Sequence, residues 1–167
     1  REKTFAILFS EAEKGKIDKD IVTGLRDMLE YRDGTKARRR NEENRLYPNI
    51  LIIENDPPNT KKLRHLLRNQ KIRVFESLNA EDGIRMAYRH PPSLILFDMH
   101  LPGMDALTGV GILKKEPELR SIPIIIMGHS ETEKEIEAIN KAGCAGYVLK
   151  PIKEKEFISL ILELLSE

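Results

Sequence analysis

Four charged residues, Glu54, Asp56, Asp98 and Lys150, each stand at or just past the end of a short apolar run. Carboxylates gathered at one place can hold Mg2+, a hard ion that prefers oxygen ligands. An aspartate can also attack a phosphoryl group and become an aspartyl phosphate. A nearby ammonium can neutralise phosphoryl oxygens as a point charge. The set therefore points to phosphoryl transfer, with Asp98 able to act as nucleophile and Lys150 as phosphate contact. A lone acid after an apolar run is common, so the signal lies in the joint occurrence and its order.

These residues can act together only if the chain brings them to one place. From Asn49 onward, short apolar runs alternate with amphipathic stretches. The runs are 50–54, 72–75, 94–98, 122–127 and 146–149. Between and after them lie 59–68, 80–88, 107–115, 130–141 and 154–165, with apolar residues three or four apart. Strand–helix alternation five times over predicts an α/β fold with a parallel sheet covered on both faces. LILFD and IPIIIM are nearly all apolar, as central strands should be. In such a sheet ligands bind beyond the carboxyl ends of the strands, near the switch in strand order. The residues at those ends are Glu54-Asn55-Asp56, Asp98, Gly128 and Lys150.

Three motifs carry a family resemblance. NILIIENDPPNTKKLRHLLR resembles the first strand, acidic turn and first helix of response-regulator receiver domains. LILFDMHLPGMD resembles their phosphoacceptor strand and loop, and AGYVLKPI their fifth strand, lysine and proline. The resemblance covers residues 49–167 and implies a doubly wound, flavodoxin-like five-stranded sheet in the order 2-1-3-4-5. It implies Asp98 as phosphoacceptor, Lys150 as phosphate-contacting lysine and Tyr147 as switch aromatic. It implies Mg2+ at Glu54, Asn55 and Asp98, with the Met99 backbone as a further oxygen donor; Asp56, one step beyond the family's acidic pair, would add an oxygen only if the turn re-aims it. The Lys150–Pro151 peptide should be cis, a minority state that a fold must enforce.

Two positions depart from the family pattern. The family has two adjacent carboxylates after the first strand, and Asn55 stands in the second position. Asn keeps an oxygen but loses the charge, so metal affinity should fall. Gly128 stands where the family has Thr or Ser, whose hydroxyl bonds the phosphoryl group and draws the aromatic inward. Tyr147 then lacks its usual trigger, and Gly128→Thr is expected to strengthen its coupling. Ser130 with Glu133 fits a capping box better than a substitute switch.

The remaining features exclude other classes. The sequence Asp98-Met99-His100-Leu101-Pro102-Gly103 matches the short Asp-x-His-x-x-Gly signature of cobalamin-binding domains. The match follows the third apolar run rather than opening a domain, and no Gly-Gly exists in the chain. His65, His90, His100 and His129 lack metal-ligand spacing and are expected to face solvent. Among the 167 residues, 40% are apolar and 33% charged, for a formal net charge of +1. That balance gives no case for nucleic acid or an anionic membrane, and Arg38-Arg39-Arg40 reads as solvated linker. The single cysteine, Cys144, suits a reducing cytoplasm and is expected to be a small buried side chain. No apolar run approaches a membrane span.

Residues 1–32 read as two helices, with Gly15 ending the first and Asp18 capping the second; 33–48 read as a charged linker. EAEKGKIDKDIVTGLRDML resembles the closing stretch of HD-type phosphohydrolase domains, including the HD-GYP class. The chain opens on Arg1 without an initiator Met and is read as a piece of a longer protein. Apolar Phe5, Leu8, Phe9, Val22 and Leu25 would need a partner, which suggests a homodimer through this arm. The leading expectation is a cytoplasmic receiver, not an enzyme beyond its own phosphotransfer, that accepts a phosphoryl group from a sensor histidine kinase or phosphotransfer protein. It would signal through the face around Tyr147. The alternative is a degenerate, phosphorylation-independent receiver serving as an interaction or dimerisation module that regulates a linked HD-type phosphohydrolase in the parent protein.

Overall fold

Inner strands buried on both faces organise the structure, a computed structural model that describes residues 47–130 and 132–166. The strands are β1 (Asn49–Ile53), β2 (Arg73–Ser77), β3 (Leu94–Asp98), β4 (Ile124–Gly128) and β5 (Gly146–Leu149). The helices are α1 (Pro57–Leu67), α2 (Ala80–Arg89), α3 (Ala106–Lys115), α4 (Glu133–Lys141) and α5 (Glu154–Ser166). All strand pairs are parallel, in the order β2-β1-β3-β4-β5. This is the parallel sheet the alternation predicts, in the doubly wound order the family resemblance implies. The helices and the dimer contact expected in residues 1–32 lie outside the described residues, as does the linker up to residue 46.

Successive strand residues point to opposite faces. Ile50, Ile52, Leu94, Leu96, Ile125 and Met127 therefore enter one core with Leu63 and Leu67 of α1 and Phe157 and Ile161 of α5. Leu51, Ile53, Ile95, Phe97, Ile124 and Ile126 enter the other, with Ile84 of α2, Val110 of α3 and Ile139 of α4. Every residue of β1, β3 and β4 is buried, so β1 is as enclosed as the two strands its composition had made more obvious. Each fully buried Leu, Ile or Phe side chain contributes about 1.5–3 kcal/mol.

Register decides whether the site forms, because a slip of one residue would send every strand side chain to the opposite face. At the end of the sheet away from the acids, Asn49 fixes β1 against the start of β3. Its Oδ1 accepts the Ser93 N–H at 2.8 Å and the Ser93 hydroxyl at 3.0 Å. Helix α3 sits close over β3 because Gly109 carries no side chain. A Cβ there would lie 2.7 Å from Phe97 Cζ, in the residue before Asp98.

The start of α4 corrects one expectation. Its N-cap is Thr132, which forms a capping box with Glu135, not Ser130 with Glu133. The sequence holds both frames of the pattern, two residues apart. Ser130 instead donates its hydroxyl to the Glu135 carboxylate.

Candidate functional site

Strand order places β1 beside β3, so Glu54, just past β1, stands next to Asp98 at the end of β3. Lys150, just past β5, reaches back across β4 to both. Its Nζ donates to Glu54 Oε2 at 2.6 Å and to Asp98 Oδ1 at 2.8 Å. All three side chains are almost wholly buried, at 0%, 6% and 4% exposure for Glu54, Asp98 and Lys150. The Lys150 N–H donates to the Gly128 carbonyl, and the Met99 N–H to the Met127 carbonyl, so the strand ends are stitched together under the site. The Lys150–Pro151 peptide is cis.

Two carboxylates and one ammonium leave this buried cluster with one excess negative charge. Burial pushes the Glu54 carboxyl up, the Asp98 charge adds to that, and hydrogen bonds from Lys150 and the Asp56 N–H pull the other way. Burial alone would lower the Lys150 ammonium, but the hydrogen bonds to Asp98 and Glu54 outweigh it and hold its pKa above the usual lysine value. Both groups therefore hold protons more tightly, as an anionic cluster requires.

The other sequence-nominated residues are placed less centrally. Asn55 is exposed and Asp56 half-buried. The Asp56 N–H donates to Glu54 Oε1 at 3.1 Å, and its carbonyl accepts the Thr60 hydroxyl. Half-buried Met99 packs its side chain against the α2–α3 core. All four histidines are exposed, as expected, with the His100 and His129 rings 6.5 Å apart at the rim. The Tyr147 hydroxyl donates to the Ser130 carbonyl. That acceptor is a backbone atom, so no residue type could have announced it.

The pattern of the response regulator receiver domain matches residues 50–162. The chain belongs to this family. It is 31% identical over 118 residues to the polar-differentiation response regulator DivK of Brucella anthropi, covering 71% of this chain and 96% of the relative. A signal receiver domain of a histidine kinase from Syntrophus aciditrophicus superimposes with a TM-score of 0.66 at 28% identity, covering 71% of this chain and 90% of that one. The receiver domain of a sensor histidine kinase from Pseudomonas aeruginosa superimposes with a TM-score of 0.67 at 25% identity, covering 72% and 98%. That neighbour is described with a magnesium ion coordinated in its active-site cleft.

The oxygens of this receiver's own site test whether such an ion fits. Glu54 Oε1 and Oε2 and Asp98 Oδ1 already accept protein donors. Asp98 Oδ2 accepts none among the described residues. No group of three His, Cys, Asp or Glu side chains is placed to hold a metal among the described residues. The donor set thus fits a Mg2+ that keeps several waters, as this ion prefers, drawn by the excess negative charge of Glu54 and Asp98 while Asp98 Oδ2 stays open.

Proposed function

We propose that this receiver accepts a phosphoryl group on Asp98 from a sensor histidine kinase or phosphotransfer protein, in the cytoplasm, and that a partner reads the face around Tyr147. The single observation that carries the reading is the buried cluster of Glu54, Asp98 and Lys150. Asp98 Oδ2 is the nucleophile. It bonds to phosphorus while the bond from phosphorus to the donor's imidazole nitrogen breaks, the electron pair returning to that nitrogen. The product is an acyl phosphate. Lys150 holds Oδ1 so that the free oxygen faces outward, and its charge offsets the incoming phosphoryl oxygens. Mg2+, when bound, neutralises further charge on those oxygens; Asp98, Asn55, the Met99 backbone carbonyl and water would hold it, with Glu54 and Asp56 acting through water.

What supports this reading over a phosphorylation-independent module is that Lys150 joins Asp98 and Glu54 by hydrogen bonds in one buried cluster. The test is intact-protein mass spectrometry after incubation with acetyl phosphate and millimolar Mg2+. One phosphoryl group should add to the wild type and none to Asp98→Ala. An unmodified wild-type mass would overturn the reading.

A further inference from the structure

Tyr147 lies in edge strand β5, opposite Ile126 of β4, two residues before Gly128. Its ring packs against the α2–α3 core, and its hydroxyl donates to the Ser130 carbonyl at 2.5 Å. A Cβ built on Gly128 would lie 2.5 Å from the phenol oxygen and 3.1 and 3.2 Å from Cε2 and Cζ of the same ring. Carbon contacts have their optimum at about 3.5–4.0 Å. The ring therefore fills the volume that any side chain at position 128 would need.

We propose that Gly128 is the seat of Tyr147, and that its bare backbone holds the ring inward in the unphosphorylated protein. The Tyr147 ring then takes the same inward position before Asp98 is modified as after. Neither the Ser130 bond nor the packing over Gly128 involves Asp98. Swinging the ring outward would break the Ser130 bond and leave a void over Gly128, and both changes are unfavourable. A side chain at 128 would compete for the same space; Gly removes the competitor. The inference concerns the resting protein and does not depend on phosphotransfer. It also reverses the expectation that Gly128→Thr strengthens the coupling, because the new Cβ would first expel the ring.

The test is proton NMR on the full chain, without Mg2+ or phosphodonor. Cross-relaxation between the Tyr147 ring protons and the Gly128 Hα is expected in the wild type and should persist after beryllofluoride with Mg2+ is added. In Gly128→Ala the ring should lose contact with residue 128 and take solvent-exposed shifts. Contacts absent from the resting wild type, or appearing only with beryllofluoride, would overturn the proposal. So would an inward ring retained in Gly128→Ala, which would show that the glycine is not the seat. Should that variant fail to fold, the resting wild-type spectrum decides alone.

Discussion

Lys150 Nζ lies 2.8 Å from Asp98 Oδ1, joining two residues 52 positions apart in the chain. The same ammonium bonds Glu54, so one cation serves two buried carboxylates. Replacing it tests how much the fold depends on that arrangement. Lys150→Met leaves both carboxylates buried without a cation, which costs about 3–5 kcal/mol. The sign with pH follows from the raised Glu54 carboxyl. A carboxyl whose pKa is higher folded than unfolded binds more protons folded, so its effect on stability improves as pH falls. The deficit of Lys150→Met should be full at pH 7 and shrink as pH falls through that raised pKa. Urea unfolding at pH 7 and pH 4.5 measures it; an equal deficit at both would refute the charge argument.

Asp98→Asn should act in the opposite direction. It removes the excess negative charge, keeps an oxygen for Lys150, and ends the repulsion that helps to raise Glu54. Functional sites commonly hold such unfavourable charge at a cost in stability. A gain on the order of 0.5–2 kcal/mol is expected, together with loss of any phosphoryl acceptance. Thermal unfolding should also show Mg2+ stabilising the wild type more than this variant.

Much of this site was legible because its residues stand at strand ends, where the α/β alternation alone gathers them. Glu54, Asp98 and Lys150 could be nominated without coordinates for that reason. The fate of Tyr147 could not, since its acceptor is a backbone carbonyl and its seat is an absent side chain. Nor could the α4 cap, since Ser130-x-x-Glu133 and Thr132-x-x-Glu135 both satisfy the pattern and only packing chooses between them. Thr132→Ala should therefore cost about 1 kcal/mol, and Ser130→Ala clearly less. A larger loss in Ser130→Ala than in Thr132→Ala in parallel urea titrations would return the cap to Ser130.

Cys144 is half-buried, and burial pushes its thiol up to about 11, with the Lys114 ammonium opposing only in part. Only the thiolate reacts with alkylating agents. At pH 8 roughly 0.1% of the thiol is ionised, given a pKa three units higher. Modification by iodoacetamide should be slow at neutral pH and accelerate about tenfold per pH unit up to pH 10. A rate that levels off near pH 8.5, as for an exposed cysteine, would contradict the burial argument.

Gly109→Ala sets two effects of opposite sign against each other. Alanine inside α3 gains about 1 kcal/mol of helix propensity over glycine. Its Cβ, however, would stand 2.7 and 2.9 Å from Cζ and Cε1 of Phe97, a fully buried ring with no solvent to swing into. Overpacking of a rigid core costs about 1–3 kcal/mol, so steric strain should win and the variant should be less stable. The strain falls on the residue before Asp98, so lifting α3 or turning Phe97 shifts the acceptor relative to Lys150. The expected result is a lower urea midpoint together with slower phosphorylation by acetyl phosphate. Gly111, which has open space where its Cβ would go, is the control: Gly111→Ala should be neutral or stabilising and leave the rate unchanged. Equal behaviour of the two variants would show that contact with Phe97 does not govern the approach of α3 to the site.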